Sequence, residues 1–351
     1  MSSDETPFGS CPAPIGQRDR VLLGHGSGGV LSARLFEEIF LPAFGNPILE
    51  RRDDQAVLEV EAGRIAFTTD SYVVTPIFFP GGDIGRLAVH GTVNDLAVGG
   101  ARPLYLAAAF ILEEGLPIDD LRRVVASMRD AAREAGVSIV TGDTKVVGKG
   151  SGDQIFITTT GIGRVPPGVS ISADRARPGD AILLSGTVGD HGMAIMSTRR
   201  DLGLEGTIES DSAALHGLVG AMLEVDRDLH VLRDPTRGGL AATLSEIAER
   251  SRVGIELNES SIPVREAVRG ACEILGLDPL YVANEGKLVA FVDPQRAPAV
   301  LDAMRRHPLG REAVPIGSVT AEHPRVVVLR TAIGGNRVLE PPYGELLPRI
   351  C

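Results

Sequence analysis

A two-domain α+β protein is predicted by three features of the sequence. Its 351 residues exceed what one ordinary core organises and suit two compact units. Its composition, 43% hydrophobic and 23% charged, is that of a globular chain. In each half, groups of β-rich segments are followed by helices instead of alternating strictly with them, and the halves are similar in size without visible sequence repetition.

Residues 1–20 are punctuated by Pro and Gly and read as a mobile arm. The glycine-rich loop "VLLGHGSGGV" follows and leads into the amphipathic stretch "LSARLFEEIFLPAF", so 1–50 form an arm and loop ahead of a first domain at 51–165. Within that domain "RIAFTTDSYVV" is β-rich and ends in the loop "TPIFFPGG". Asp83 is a good N-cap for a helix through "IGRLAVHGTVNDLAV", which Gly99 and Gly100 stop. "PLYLAAAFILEEG" reads as a buried strand. "PIDDLRRVVASMRDAAREAG" is a helix opened by Pro117 and closed by Gly136, with its acids early as the helix dipole prefers. "VSIVTGDTKVV" and "DQIFITTTGIG" complete the β-rich set. After the linker "RVPPGVSISADRARPGD", a second mixed domain spanning 175–335 opens at "AILLSG". It carries helices around 238–251 and 263–275 and the strands "VGIEL", "LVAFVD" and "RVVVL". The proline-rich end, 336–351, resembles no core element and reads as a mobile tail closing on Cys351.

Charge and cysteine usage narrow the function. The balance of 46 acids against 35 bases gives −11, which repels phosphate backbones and anionic lipid and argues against nucleic-acid and membrane partners. No run of 18 apolar residues suggests a membrane span. "MSSDETPFGS" is acidic and polar, the opposite of a signal peptide, so a cytoplasmic location is expected. The three cysteines, at 11, 272 and 351, are odd in number and far apart, and imply no disulfide framework.

Four features are candidates for chemistry. "GHGSGG", Gly24 to Gly29, satisfies G-x-G-x-x-G, but no long strand precedes it and no Gly-Lys-Ser/Thr makes it a Walker A loop. It is either a hinge before a helix or a flap whose N–H groups close over phosphates, and His25 within it reads as a solvated loop histidine. Acids stand near the ends of apolar segments: Asp53 and Asp54, Asp70, Asp95 and Asp143. Each alone fits a turn or cap. As a set they fit Mg–ATP held without a P-loop, since Mg²⁺ takes one or two carboxylates plus water and phosphate oxygens. Lys145 lies two residues from Asp143, so in a strand both point to one face. "LRDPTRGGLAATL" sets Asp234, Thr236 and Arg237 before Gly238–Gly239 and a helix start, while Glu285 and Lys287 precede the strand "LVAFV". Ordinary turn and salt-bridge chemistry is the competing reading of both. Among the cysteines, Cys272 shares a helical face with Val268 and Leu275 and reads as a core thiol, and Cys11 as incidental. Cys351 closes a segment that from Glu340 can span roughly 35 Å at ~3.1 Å per residue.

Taken together, "HGSGG", "TTDSYVVTPIFFPGGDIG", "NDLAVGGARP", "ILEEGLP", "VTGDTKVV", "SGTVGDHG", "DPTRGG", "ANEGKLV" and "PRIC" resemble the HypE family of hydrogenase maturation factors, in the PurM-like superfamily. The resemblance runs from Leu23 to Cys351. The D-x4-G-A-x-P run from Asp95 to Pro103 is the superfamily's signature, and "PRIC" sets this family apart from aminoimidazole ribonucleotide synthetase, thiamine-phosphate kinase and selenophosphate synthetase. The resemblance implies a two-domain PurM-like fold whose mixed sheets pack with helices, with N-terminal domains pairing in a homodimer and ATP bound near that interface. It implies that Cys351 receives a carboxamide from a HypF-type carbamoyltransferase and that ATP-dependent dehydration converts this to a thiocyanate. The cyanide then passes to iron on a HypC–HypD complex. By the same resemblance Asp95 with Asn94, and Asp54, Asp70 and Asp143, serve nucleotide and Mg²⁺. Gly26, Gly28 and Gly29 belong to the nucleotide loop, and Lys145 and Glu285 act near Cys351. His90 stands where relatives vary and receives no role. Two other readings remain: a PurM-like kinase or ligase acting on a free small molecule, and a nucleotide-binding scaffold that recruits maturation partners.

Overall fold

The structure, a computed structural model, describes residues 19–26, 30–52, 56–199, 208–341, 347 and 350–351. The expectations for Cys11, Gly28, Gly29, Asp53 and Asp54 lie outside them. The first half begins with a helical run in which α1 (Val30–Leu35) passes through a π turn into α2 (Leu41–Phe44), burying Leu35, Ile39, Phe40 and Phe44. Then come β1 (Arg64–Tyr72), the small hairpin β2 (Phe78–Phe79) and β3 (Gly82–Asp83), α3 (Ile84–Val98), β4 (Arg102–Glu113), α4 (Ile118–Glu134), β5 (Ser138–Val147) and β6 (Ile155–Val165). Asp83 caps α3 as expected, accepting the N–H groups of Gly85 at 2.8 Å and Arg86 at 3.2 Å. α4 follows Pro117 and ends before Gly136, with Asp119 and Asp120 in its first turn.

β1, β6, β4 and β5 form one four-stranded sheet in that order, antiparallel except for the parallel β4–β5 pair. One face of it packs on α3 and α4. Alternate residues of β4 (Leu106, Ala108, Phe110, Leu112) are buried there, which is the period-two signature of a strand with one covered face. The strand expected to be buried is half-buried in this chain: Ile111 of β4 and Ile65 and Phe67 of β1 lie on the uncovered face, with Phe67 69% exposed.

The second half runs β7 (Ala181–Leu184), α5 (Asp190–Arg199), α6 (His216–Val225), β8 (Val231–Arg233), α7 (Gly239–Ser251), β9 (Gly254–Asn258), α8 (Glu266–Leu275), β10 (Val289–Val292), α9 (Ala297–Arg306), β11 (Val314–Thr320), β12 (Val327–Arg330) and β13 (Asn336–Leu339). Its seven strands are ordered β13-β12-β9-β11-β7-β10-β8. α7 covers one face through Leu240, Leu244 and Ile247, while α6 and α9 cover the other through Leu218, Met222, Val300 and Met304. Along β10, Val289 and Phe291 face the first layer and Ala290 and Val292 the second. An α+β architecture with helices segregated around two sheets results.

Two expectations change. Segment 336–351 is not a free tail along its length: β13 pairs with β12, Leu347 and Ile350 are buried in the first core, and Ile350 bridges Val74. Apolar side chains separated by prolines gave no periodic signal, yet Leu339, Leu347 and Ile350 are buried. The first core also extends beyond the first half, taking in Met193–Met196 of α5, Val268 and Cys272 of α8, and Val282. The region where the halves meet is therefore packed. Among the described residues no helix is long and apolar enough to cross a membrane.

Candidate active site

Where the halves meet, the end of β1 and the middle of α3 face two turns of the second half. Asp70, Tyr72, Gly91 and Asp95 line one side of a small pocket; Asp234, Thr236, Arg237 and Glu285 line the other, and Cys351 reaches into it. The space left beside it is about 30 Å³. Docked Cys351 is half-buried there.

Each side chain is set by its backbone. Asp95 faces β1 from α3 and accepts the Thr68 hydroxyl at 2.8 Å; burial first, then the nearby Asp70, raise its ionisation above the usual carboxylate range. Asp234 follows β8 in the turn into α7. Burial, then Asp95, push it up to about 7. Glu285 is buried, and burial followed by the charges of Asp234, Asp211 and Asp70 raises it well above the usual range. The Cys351 thiol donates to the Glu285 carboxylate, and burial together with that carboxylate holds the thiol well above its ordinary value. The docked cysteine is thus a neutral thiol among acids.

Glu285 is held by Asp211, which gave no sequence signal, and by neighbours in "ANEGKLV" to which the sequence assigned no such task. Asp211 accepts the N–H groups of Glu285 at 3.0 Å and Gly286 at 3.2 Å, and pairs with Lys287 at 3.0 Å. Gly286 is required there, because a Cβ would sit 1.8 Å from the Asp211 carbonyl oxygen. Desolvation works to raise Asp211, but Lys287 and the N–H donors outweigh it and hold the carboxyl below its ordinary range. Asn284 donates to the Pro235 carbonyl at 2.9 Å and accepts the Gly189 N–H at 2.7 Å, tying the Asp234 turn to Glu285. No local pattern marks these residues, since their partners are backbone groups far away in the chain.

Asn94 is corrected. Expected to face nucleotide, it is buried, donating to the Ala213 and Glu285 carbonyls at 3.0 and 3.2 Å and accepting the Leu215 N–H at 2.8 Å. With both donors and its acceptor engaged, it organises Glu285 from behind.

Within one copy the acids do not all converge. Asp70 and Asp95 share the pocket, but Asp143 and Lys145 lie on β5, at the opposite edge of the sheet from β1. Three interstrand spacings separate those edges, about 14 Å. Asp143 and Lys145 pair with each other at 2.8 Å and are 62% and 63% exposed. Beside them, along the β5 edge, runs an open cavity of about 830 Å³ lined by Phe36, Phe40, Phe44 and Phe110, with His25 and Gly26 at its rim. Gly26 touches β5 so closely that a Cβ would stand 2.4 Å from the Val146 nitrogen. An aromatic slot beside a cation suits a nucleoside with a charged tail. Among the described residues no group of three or more His, Cys, Asp or Glu is arranged to hold a metal. Asp70 and Asp95 alone still suit Mg²⁺: two crowded carboxylates, one raised partly by the other, match an ion that completes its shell with water and phosphate.

The family described as "AIR synthase related protein" matches this chain in two parts, its N-terminal domain at residues 52–165 and its C-terminal domain at 177–329. The carbamoyl dehydratase HypE of Azotobacter vinelandii is 61% identical over 327 residues, 93% of this chain and 96% of that protein. A crystal structure of the hydrogenase maturation protein HypE in complex with ATP aligns with TM-score 0.91 and 55% identity, over 94% of this chain and 99% of that one. A chain from the crystal structure of a HypE–HypF complex aligns with TM-score 0.78 and 50% identity, over 88% and 99%.

Proposed function

The chain belongs to the AIR synthase-related family and, within it, to the HypE carbamoyl dehydratases of hydrogenase maturation, and from that premise we propose that Cys351 carries the group dehydrated with ATP. The observation behind this reading is the position of the Cys351 thiol, seated against Glu285 in an acid-lined pocket. Cys351 bears a carboxamide, S–C(=O)–NH2, which becomes S–C≡N. Hydroxide is a poor leaving group, so the carboxamide oxygen first takes the γ-phosphoryl group: an O–P bond forms and the bond to the ADP oxygen breaks. The C–O bond then breaks with phosphate leaving, and the nitrogen gives up both protons. Cys351 loses one water, and ATP becomes ADP and phosphate.

Glu285 is the acceptor for an N–H proton, because a carboxylate with raised ionisation is a stronger base than one in water. Asp70 and Asp95 would hold Mg²⁺, which neutralises charge on the phosphates when bound. The cavity beside β5 takes the nucleoside, with Lys145 for its phosphates. Since Lys145 and Cys351 sit at opposite edges of one sheet, the complete site joins two copies. A homodimer through the uncovered sheet faces, where Ile65, Phe67 and Ile111 are exposed, sets β1 of one copy beside β5 of the other. A HypF-type carbamoyltransferase loads Cys351, a reading that the HypE–HypF complex supports, and a HypC–HypD complex in the cytoplasm accepts the cyanide.

The test is the mass of the Cys351 peptide from carbamoylated protein before and after ATP. The expected change is loss of one water, absent without ATP. An unchanged mass together with full ATP turnover on Cys351→Ala protein would sink the reading in favour of a free small-molecule substrate.

A further inference from the structure

A buried histidine that the chemistry above does not use holds the carrier segment. His191, on α5, is fully buried, and its Nε2 lies 2.6 Å from the Ile350 carbonyl oxygen, one residue before Cys351. A carbonyl only accepts, so Nε2 carries the proton and Nδ1 its lone pair. Nδ1 stands 2.8 Å from the Ser210 hydroxyl, which therefore donates to it and fixes the tautomer. Phe79 meets the imidazole edge-on at 5.6 Å. Ser210 Oγ also accepts the Ser212 N–H, and the Ser210 N–H donates to the Pro80 carbonyl. The next residue, Asp211, holds the backbone of Glu285. One short segment thus sets both the donor to Ile350 and the carboxylate that meets the Cys351 thiol.

We propose that His191 is a positioning residue, a latch that docks the Cys351 segment by donating to the Ile350 carbonyl. This deepens the carrier reading of Cys351 and rests on it. Ile350 is buried and bridged to Val74, so its carbonyl has no water to turn to when the imidazole is lost. Docked, Cys351 is half-buried with its thiol seated against Glu285 in a narrow pocket, which slows attack by an electrophile; undocked, it is an ordinary reactive cysteine.

The experiment follows alkylation of the full chain by iodoacetamide, read by peptide mass at Cys351 and, as internal control, at buried Cys272. His191→Leu is expected to raise the Cys351 rate at least about tenfold while Cys272 is unchanged, as loss of a buried hydrogen bond predicts. His191→Gln, whose amide N–H can reach the same carbonyl, is expected to return the rate most of the way to wild type. An unchanged Cys351 rate in His191→Leu overturns the latch, and equal rates in the Leu and Gln variants overturn the hydrogen bond as its cause. Should His191→Leu not fold, Ser210→Ala carries the test: its expected rise is about threefold, and no rise overturns the proposal. None of these readouts uses turnover, so failure of the carrier reading, seen as full activity in Cys351→Ala, stays distinguishable.

Discussion

Two lysine–aspartate pairs of nearly equal length sit on either side of the proposed chemistry, and they are opposite in kind. Lys145 and Asp143 meet at 2.8 Å on β5 with both side chains more than 60% exposed. Lys287 and Asp211 meet at 3.0 Å with exposures of 11% and 3%. An exposed pair in high dielectric contributes little and exchanges partners freely, so Lys145 is available to an incoming phosphate. The buried pair has no such freedom: Asp211 is committed to two backbone N–H groups and to Lys287, and its work is to hold Glu285. Distance alone does not separate a pair free to exchange partners from one that builds; burial does.

The largest effect on stability is expected at the buried pair. Lys287→Met leaves Asp211 buried without its counter-charge, which costs about 3–5 kcal/mol. Urea unfolding should show it as a lower midpoint at unchanged slope, and dehydration should fall because Glu285 loses its anchor. Adding Asp211→Asn should recover part of the stability, since the uncompensated charge is then gone. A loss for Lys287→Met no larger than that for Lys145→Met would erase the contrast.

A smaller effect belongs to the acids between the pairs, which have no lysine of their own. Asp234 is pushed up to about 7 from 3.8 by burial, then by Asp95. Between about pH 4 and 7 the folded chain keeps a proton that the unfolded chain has released, so stability falls as pH rises through that window. The raised ionisation of Asp95 and Glu285 acts with the same sign, while His90, His191 and His216, lowered by burial, act with the opposite one; the lowered Asp211 acts only below about pH 4. Asp234→Asn should flatten the pH dependence and stabilise the nucleotide-free protein at pH 8. The gain is at most about 4 kcal/mol, since each pH unit between the folded and unfolded ionisations is worth about 1.4 kcal/mol. Urea midpoints at pH 5 and pH 8 decide it. Because the buried histidines raise stability over the same range, the difference between wild type and Asp234→Asn is what decides: an equal pH dependence in the two contradicts the raised ionisation of Asp234.

Much of the molecule was legible where the signal is local. Asp83, Pro117 and Gly136 bound their helices because capping and termination are decided within a few residues. Asp143 and Lys145 share a face because strands alternate. α5 was not expected: Asp190 through Met196 are all buried, so it shows no polar face to set a period. Strand order was equally hidden. That β1 and β5 are the edges of one sheet follows from pairings across the whole domain, and it divides acids which the sequence presents as one set. Asp211, Asn284 and His191 share this difficulty, because what they hold is backbone far away in sequence.

The smallest effect on stability is expected at the exposed pair, and it is the most informative about assembly. Lys145→Ala should change stability by no more than about 0.5 kcal/mol, as other exposed pairs do. Its dehydration rate should nonetheless fall by about 10²-fold or more, if Lys145 stabilises charge on the transferred phosphate. In one protomer Lys145 and Cys351 lie on opposite sheet edges, so these losses need not belong to the same site. Mixing Lys145→Ala chains with Cys351→Ala chains after a cycle of unfolding and refolding tests this directly. In a two-fold dimer whose sites each join both copies, half of the mixed population is heterodimeric and each heterodimer rebuilds one of its two sites, giving ~25% of wild-type turnover. If each site instead uses Lys145 and Cys351 of one chain, every site in the mixture lacks one of them and turnover stays at the level of the separate variants. A return of activity on mixing therefore assigns the two lysine pairs to different duties and to different copies. Its absence, with mixed dimers verified by mass, returns Lys145 to the surface as an ordinary exposed charge.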